Sequence, residues 1–217
     1  MKNHILRWGV LLAIGFGIGS AIGYFQSMNE TITSETSESN GNATIIKKPR
    51  KIADQFKNIG GEFSLINHEG QAVTQDTYAG TYKLIFFGFT FCPAVCPTEL
   101  QKITLIMGDL EELSDQITPL FISIDPERDS PEVMKKYVEQ FHPKLIGLTG
   151  SVEQIDAIKK SFHVYASKVE NDMMDEYMMD HSSFMYLTDH NNKLIGIYPA
   201  KDDAIDIAQE IRELIAK

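Results

Sequence analysis

Apolar residues in this chain fall into short runs separated by polar turns, and from about residue 60 onward the runs switch between strand and helix periodicity. Glu62 to Ile66 and Gln71 to Thr74 flank the turn-prone His68-Glu69-Gly70 and predict a hairpin. Tyr82 to Phe89, with Leu84-Ile85-Phe86-Phe87 unbroken at its centre, reads as a buried strand. Leu100, Ile103, Leu105, Ile106 and Leu110 recur at near-helical spacing and predict a helix packed on that strand, with Pro97 and Thr98 at its first positions. Pro119 to Ile124 is a second apolar run, ending at Asp125-Pro126. Ser130-Pro131-Glu132 supplies a cap, a proline for the first helical position and an acid for the first turn, so a helix is expected to about Phe141. A strand over Leu145 to Leu148, a helix from about Val152 to Phe162 and a strand over Val164 to Glu170 follow. Asn171 to Asp180, acidic and rich in methionine, predicts a loop. Ser183 to Thr188 and Lys193 to Tyr198 flank Asp189-His190-Asn191-Asn192 as a hairpin, and Asp203 to Lys217 is a closing amphipathic helix. Alternating units of this kind define an α/β domain, a central mixed sheet flanked by helices.

The N-terminal part has a different pattern. Trp8 to Phe25 carries no charge over 18 positions, roughly 27 Å of helix, close to the thickness of a bilayer's hydrocarbon core. Lys2 and Arg7 precede it and the next basic residue is Lys47, which places the N-terminus in the cytoplasm and the rest of the chain outside. Small residues at Ser20-Ala21-Ile22-Gly23 leave a cleaved secretory signal as the alternative to a single-pass anchor. Gly15, Gly19 and Gly23 recur every four residues and offer a helix-packing face for a weak homodimer. Gln26 to Asn42 is almost devoid of apolar residues and reads as a flexible tether. The expected organisation is an anchor over 1–25, a tether over 26–43 and a folded domain over 44–217. With no Arg-rich, Ser-rich presequence ahead of the anchor, a bacterial inner membrane with the domain in the periplasm is expected, in preference to a mitochondrial inner membrane.

The chain has 217 residues and a formal net charge of −10, which argues against a nucleic-acid partner. It holds only two cysteines, Cys92 and Cys96, too few for a disulfide framework or an all-thiolate zinc site. Both stand where a strand hands over to a helix, the layout of thioredoxin-like folds. There the free N–H groups and the helix dipole favour a thiolate. Two thiolates need a third donor to make a useful metal site. Of the histidines, His4 lies in the anchor's flank, His68 and His190 in turns, and His142 and His163 after helix ends; His181 stands immediately before the strand from Ser183. Position alone does not separate a ligand at His181 from an ordinary loop histidine. Two sulfurs and an imidazole favour copper, Cu(I) above all, and can also hold zinc. The same pair could cycle between dithiol and disulfide, or form one permanent disulfide. Met173, Met174, Met178 and Met179 offer either a docking surface or plain cover for apolar surface. Asp125, Glu127, Arg128 and Asp129 read as a solvated ion-pair cluster at a helix start.

Four separate motifs, in order, resemble the Sco/SenC family: Thr90-Phe91-Cys92-Pro93-Ala94-Val95-Cys96-Pro97, Ser123-Ile124-Asp125-Pro126-Glu127-Arg128-Asp129, Pro143-Lys144-Leu145-Ile146-Gly147-Leu148-Thr149-Gly150, and Asp180-His181-Ser182 ahead of Met185-Tyr186-Leu187. The resemblance runs from about Ile59 to the C-terminus. It implies a membrane-anchored, thioredoxin-like metallochaperone that binds copper, as Cu(I) or Cu(II), and helps build the dinuclear copper centre of cytochrome c oxidase. Cys92 and Cys96 match the family's two thiol ligands and His181 its imidazole ligand. The implied partners are the oxidase's copper-centre subunit and a copper donor protein; the alternative role is a thiol-disulfide oxidoreductase that keeps the subunit's copper-ligand cysteines reduced. Two positions depart from the commonest pattern. Phe91 replaces a frequent histidine and Ala94 a frequent aspartate, and the second change removes a nearby carboxylate.

Overall fold

The computed structural model describes residues 58–170 and 177–216, all within the second of the chain's two units, Lys47–Lys217. The expected anchor, its glycine face and the tether lie outside the described residues. Among the described residues no helix is long and apolar enough to cross a membrane.

Strands β1 (Ser64–Asn67) and β2 (Ala72–Thr74) pair antiparallel as the expected hairpin. Asn67 shapes the turn, its Oδ1 accepting from the N–H groups of Glu69 and Gln71. The unbroken apolar run forms β3 (Tyr82–Gly88), which pairs in parallel with β4 (Ile117–Ser123) from Tyr82↔Ile117 to Gly88↔Ser123. β5 (Ile146–Thr149) runs parallel to β4. β8 (Phe184–Thr188) lies antiparallel to β3 on its other side and pairs with β9 (Leu194–Pro199). The sheet order is β2-β1-β5-β4-β3-β8-β9, so the most apolar strand is central, where neither face meets water.

Helices α1 (Val95–Leu110), α2 (Pro131–Val138), α3 (Val152–Ser161) and α4 (Ala204–Ile215) cover the sheet. Neighbouring strand residues face opposite ways, and each side of β3 meets different cover. Phe86 stacks on Phe121, which meets Tyr137 of α2; Phe87 meets Phe162, just past α3, and Tyr186. Helices therefore lie on both faces of a mixed sheet, as the pattern predicts. Ser130 and Ser151 cap α2 and α3 as their sequences imply, the second in a reciprocal pair with Gln154.

Four expectations need correction. α1 begins at Val95 rather than Pro97, with Ala94 at the cap position and no side-chain cap; Cys92 Sγ, from just outside the helix, accepts the N–H of Cys96 at 3.4 Å. Pro97 is harmless in that first turn, where its missing N–H would have had no partner within the helix. Leu105 points outward at 57% exposure; the buried face runs through Cys96, Glu99, Leu100, Ile103, Ile106, Met107 and Leu110. α2 ends at Val138, and tighter turns through Gln140 and Phe141 finish it. Finally, Met178–His181 is a strand, β7, pairing antiparallel with β6 (Ala166–Val169) in a separate two-stranded ribbon.

Candidate metal centre

Topology brings one edge of the sheet to a focus. β3 and β4 end side by side at Gly88 and Ser123, and β8, running the other way, begins beside the end of β3, where Met185 faces Phe86. The chain leaving β3 forms the cysteine bend, and His181 arrives from β7 three residues before β8. Such an edge, at the carboxyl ends of parallel strands, is where open α/β sheets bind ligands.

Within the bend, the N–H of Cys92 donates to the Phe89 carbonyl at 3.3 Å. Cys92 is half-buried, Cys96 is buried, and both are free thiols. Cys96 occupies space left by a glycine: a Cβ on Gly88 would lie 2.7 Å from its Sγ. A hydrogen bond from the Cys96 thiol lowers the Cys92 pKa from 9.0 to about 5 against the opposing effect of burial, helped by the N–H groups of Cys96, Ala94 and Val95. The anion at Cys92 and burial together push the Cys96 thiol well above its ordinary range. One sulfur is thus a ready thiolate and the other holds the proton.

His181 Nε2 lies 3.8 Å from Cys96 Sγ. Its Nδ1 is 3.1 Å from the Ser182 carbonyl oxygen, which can only accept, so Nδ1 carries the proton and the Nε2 lone pair is available. The rings of Phe86 and Phe89 meet the imidazole edge-on, with centroids 6.3 and 6.0 Å away. The three candidates form a chain of contacts with Cys96 in the middle. Among the described residues, no three His, Cys, Asp or Glu side chains are already gathered as a metal cage. The donor set remains soft, two sulfurs and one nitrogen, and suits copper better than a hard ion.

The other described histidines lie elsewhere: His68 Nδ1 accepts from the Gly147 N–H, His142 Nδ1 from the Lys144 N–H, His163 is exposed with a left-handed backbone just past α3, and His190 packs edge-on against Tyr82. Met178 and Met179 pack partly buried against the core, as gap-filling side chains do. Met173 and Met174 lie outside the described residues.

The acidic cluster after β4 is not solvated. Asp125 is 1% and Asp129 0% exposed, while Glu127 alone of the group is exposed. Asp129 accepts from the Thr90 N–H at 3.2 Å and from the hydroxyls of Thr90 and Ser123 at 2.6 Å each, tying the cysteine bend to β4. Burial raises its pKa, opposed by those same donors. The legible signal was placement: carboxylates directly after a strand that neighbours the cysteine strand.

Fold and site together define a thioredoxin-like α/β protein with a dithiol and an imidazole at one sheet edge. The family model SCO1/SenC matches residues 52–216, and the chain belongs to that family. It is 45% identical over 176 residues to an SCO2-like protein of Rickettsia prowazekii, covering 77% of this chain and 82% of the relative. The crystal structure of Arabidopsis thaliana ScoI with copper bound aligns with a TM-score of 0.67 and 41% identity over 71% of this chain and 99% of the other. Bradyrhizobium japonicum ScoI with copper bound gives 0.66 and 38% over 71% and 98%.

Proposed function

We propose that this protein carries copper as cargo on Cys92, Cys96 and His181 and delivers it to the dinuclear copper centre of cytochrome c oxidase. The observation that carries the reading is the 3.8 Å approach of His181 Nε2 to Cys96 Sγ, with Nδ1 engaged by a backbone carbonyl. Residues 85 positions apart have been brought together with the free nitrogen facing sulfur. Copper bound in solved relatives supports copper as the cargo. Binding an ion on all three donors needs the Cys96 thiol to release the proton that it shares with Cys92. Binding is therefore accompanied by proton loss. The apolar segment Trp8 to Phe25 anchors the domain in a bacterial inner membrane, with the tether letting it reach a copper donor and the oxidase subunit in the periplasm.

Cu(I) titration of the reduced full-length chain tests the reading. Replacing Cys92, Cys96 or His181 with alanine weakens binding, and the Cys92→Ala, Cys96→Ala double variant abolishes it; undiminished binding by that double variant overturns the proposal.

The acidity of Cys92 favours a second reading, thiol-disulfide exchange. The Cys92 thiolate attacks a substrate disulfide and releases one substrate thiolate, then Cys96 displaces the second, leaving the substrate reduced and a Cys92–Cys96 disulfide for an external dithiol to reduce. This activity survives His181→Ala in metal-free buffer, and its loss there refutes the second reading alone.

A further inference from the structure

The ribbon that delivers His181 is a two-stranded sheet apart from the main one, and such a ribbon does not hold its own orientation. Arg128, in the turn after β4, stands between this ribbon and the cysteine bend. Its Nε donates to Asp125 Oδ2 at 2.5 Å and its Nη1 to the Tyr177 carbonyl at 2.9 Å. The guanidinium carbon lies 3.8 Å from the Tyr177 ring centroid and 4.8 Å from that of Phe91. The Tyr177 hydroxyl donates to the other oxygen of the same carboxylate, Asp125 Oδ1, at 2.6 Å. Phe91 adjoins Cys92, and Tyr177 leads directly into the strand that ends at His181. One cation thus touches the segment before the first thiol and the segment before the imidazole.

We propose that Arg128, anchored on buried Asp125, is a positioning residue that clasps Tyr177 to Phe91 and thereby sets the reach of His181 toward the two thiols. The proposal rests on the reading of Cys92, Cys96 and His181 as copper donors. A planar guanidinium can donate within its plane to Asp125 and to the Tyr177 backbone while its faces meet aromatic rings; an ammonium offers no such plane. Asp125 is almost wholly removed from water, so the pair is not one of the screened surface contacts that contribute little. Lys168 of β6 reinforces the clasp, lying 4.6 Å from the Tyr177 ring centroid and pairing with Glu127. Phe91 acquires a role here as one wall of the arginine's seat.

The test is a double-mutant cycle on Cu(I) affinity, measured on reduced full-length protein by competition with a chromophoric chelator. R128K weakens binding by about 10- to 100-fold, the range for residues that orient metal ligands. In an H181A background it has no further effect, because the imidazole it positions is gone. The absorption spectrum of Cu(II)-loaded R128K shifts toward that of H181A. Wild-type affinity in R128K, or an equal loss with and without His181, overturns the clasp while leaving the copper site intact. Wild-type affinity in H181A overturns the copper-site reading itself and the clasp with it. Should R128K fold poorly, Y177L carries the same cycle, since it removes the ring and hydroxyl contacts and keeps the Arg128–Asp125 pair.

Discussion

Gly88 and Cys96 share a space that only one side chain can fill. A methyl on residue 88 would meet Cys96 Sγ at 2.7 Å, Phe121 at 3.0 Å and Phe86 at 3.1 Å, and both rings are fixed in the core. Gly88→Ala is therefore expected to displace the sulfur, costing about 1–3 kcal/mol of stability by overpacking and weakening Cu(I) binding; urea unfolding and copper titration of the variant check both. The Cys92 thiol makes a second claim at this scale. With its pKa lowered to about 5, mainly by the Cys96 thiol, iodoacetamide should modify Cys92 rapidly at pH 6 while buried Cys96 stays unreacted. A folded pKa below the unfolded one stabilises the fold above the unfolded thiol value, and that contribution fades as pH falls through about 5. Cys96→Ala removes the main donor and should move the pH profile of alkylation toward that of an ordinary cysteine. An unmoved profile would assign the acidity to the helix start instead.

Elements joined through Asp129 depend on a single carboxylate. Asp129→Ala leaves the Thr90 N–H and the hydroxyls of Thr90 and Ser123 without their acceptor, and should destabilise the domain by about 3 kcal/mol in urea unfolding. Its burial could not be read from Asp125 to Asp129 alone, because two of the three donors that make it tolerable belong to Thr90, 39 residues away on the cysteine bend. The same physics separates what was legible from what was not. β3 and β4 declare themselves because both faces are buried and the run is continuous; α2 and α3 start where a serine cap says they should. β7 did not, since its partly exposed residues alternate weakly and become a strand only by pairing with β6. Leu105 shows the converse error, an apolar residue counted with the buried face although it is exposed. The cysteines were legible from local sequence. The approach of His181 was legible only in part, because it depends on β8 running antiparallel to β3; its place just before a strand made the imidazole a candidate, and the family resemblance turned the candidate into an expectation.

For the whole molecule, a copper ion on these donors would act as a cross-link between the central strand and the last third of the chain. Cys96 and His181 are 85 residues apart in sequence, and the imidazole reaches the site on a ribbon outside the main sheet. An ion that binds the folded chain and not the unfolded one stabilises it by about 2.7 kcal/mol at a hundredfold excess over Kd. Loading should therefore raise the melting temperature of the reduced full-length protein as copper is added. It should also slow amide hydrogen exchange across Met178–His181, where local opening is held back by pairing with a single strand, β6, by side-chain packing and by the Arg128 contact at Tyr177. In His181→Ala, copper held by the two thiols alone should still raise the melting temperature, by less, and the ribbon amides should exchange at the metal-free rate. Equal protection of the ribbon with and without His181 would mean that the metal does not bridge the two halves, and that the cargo sits on the cysteine bend alone.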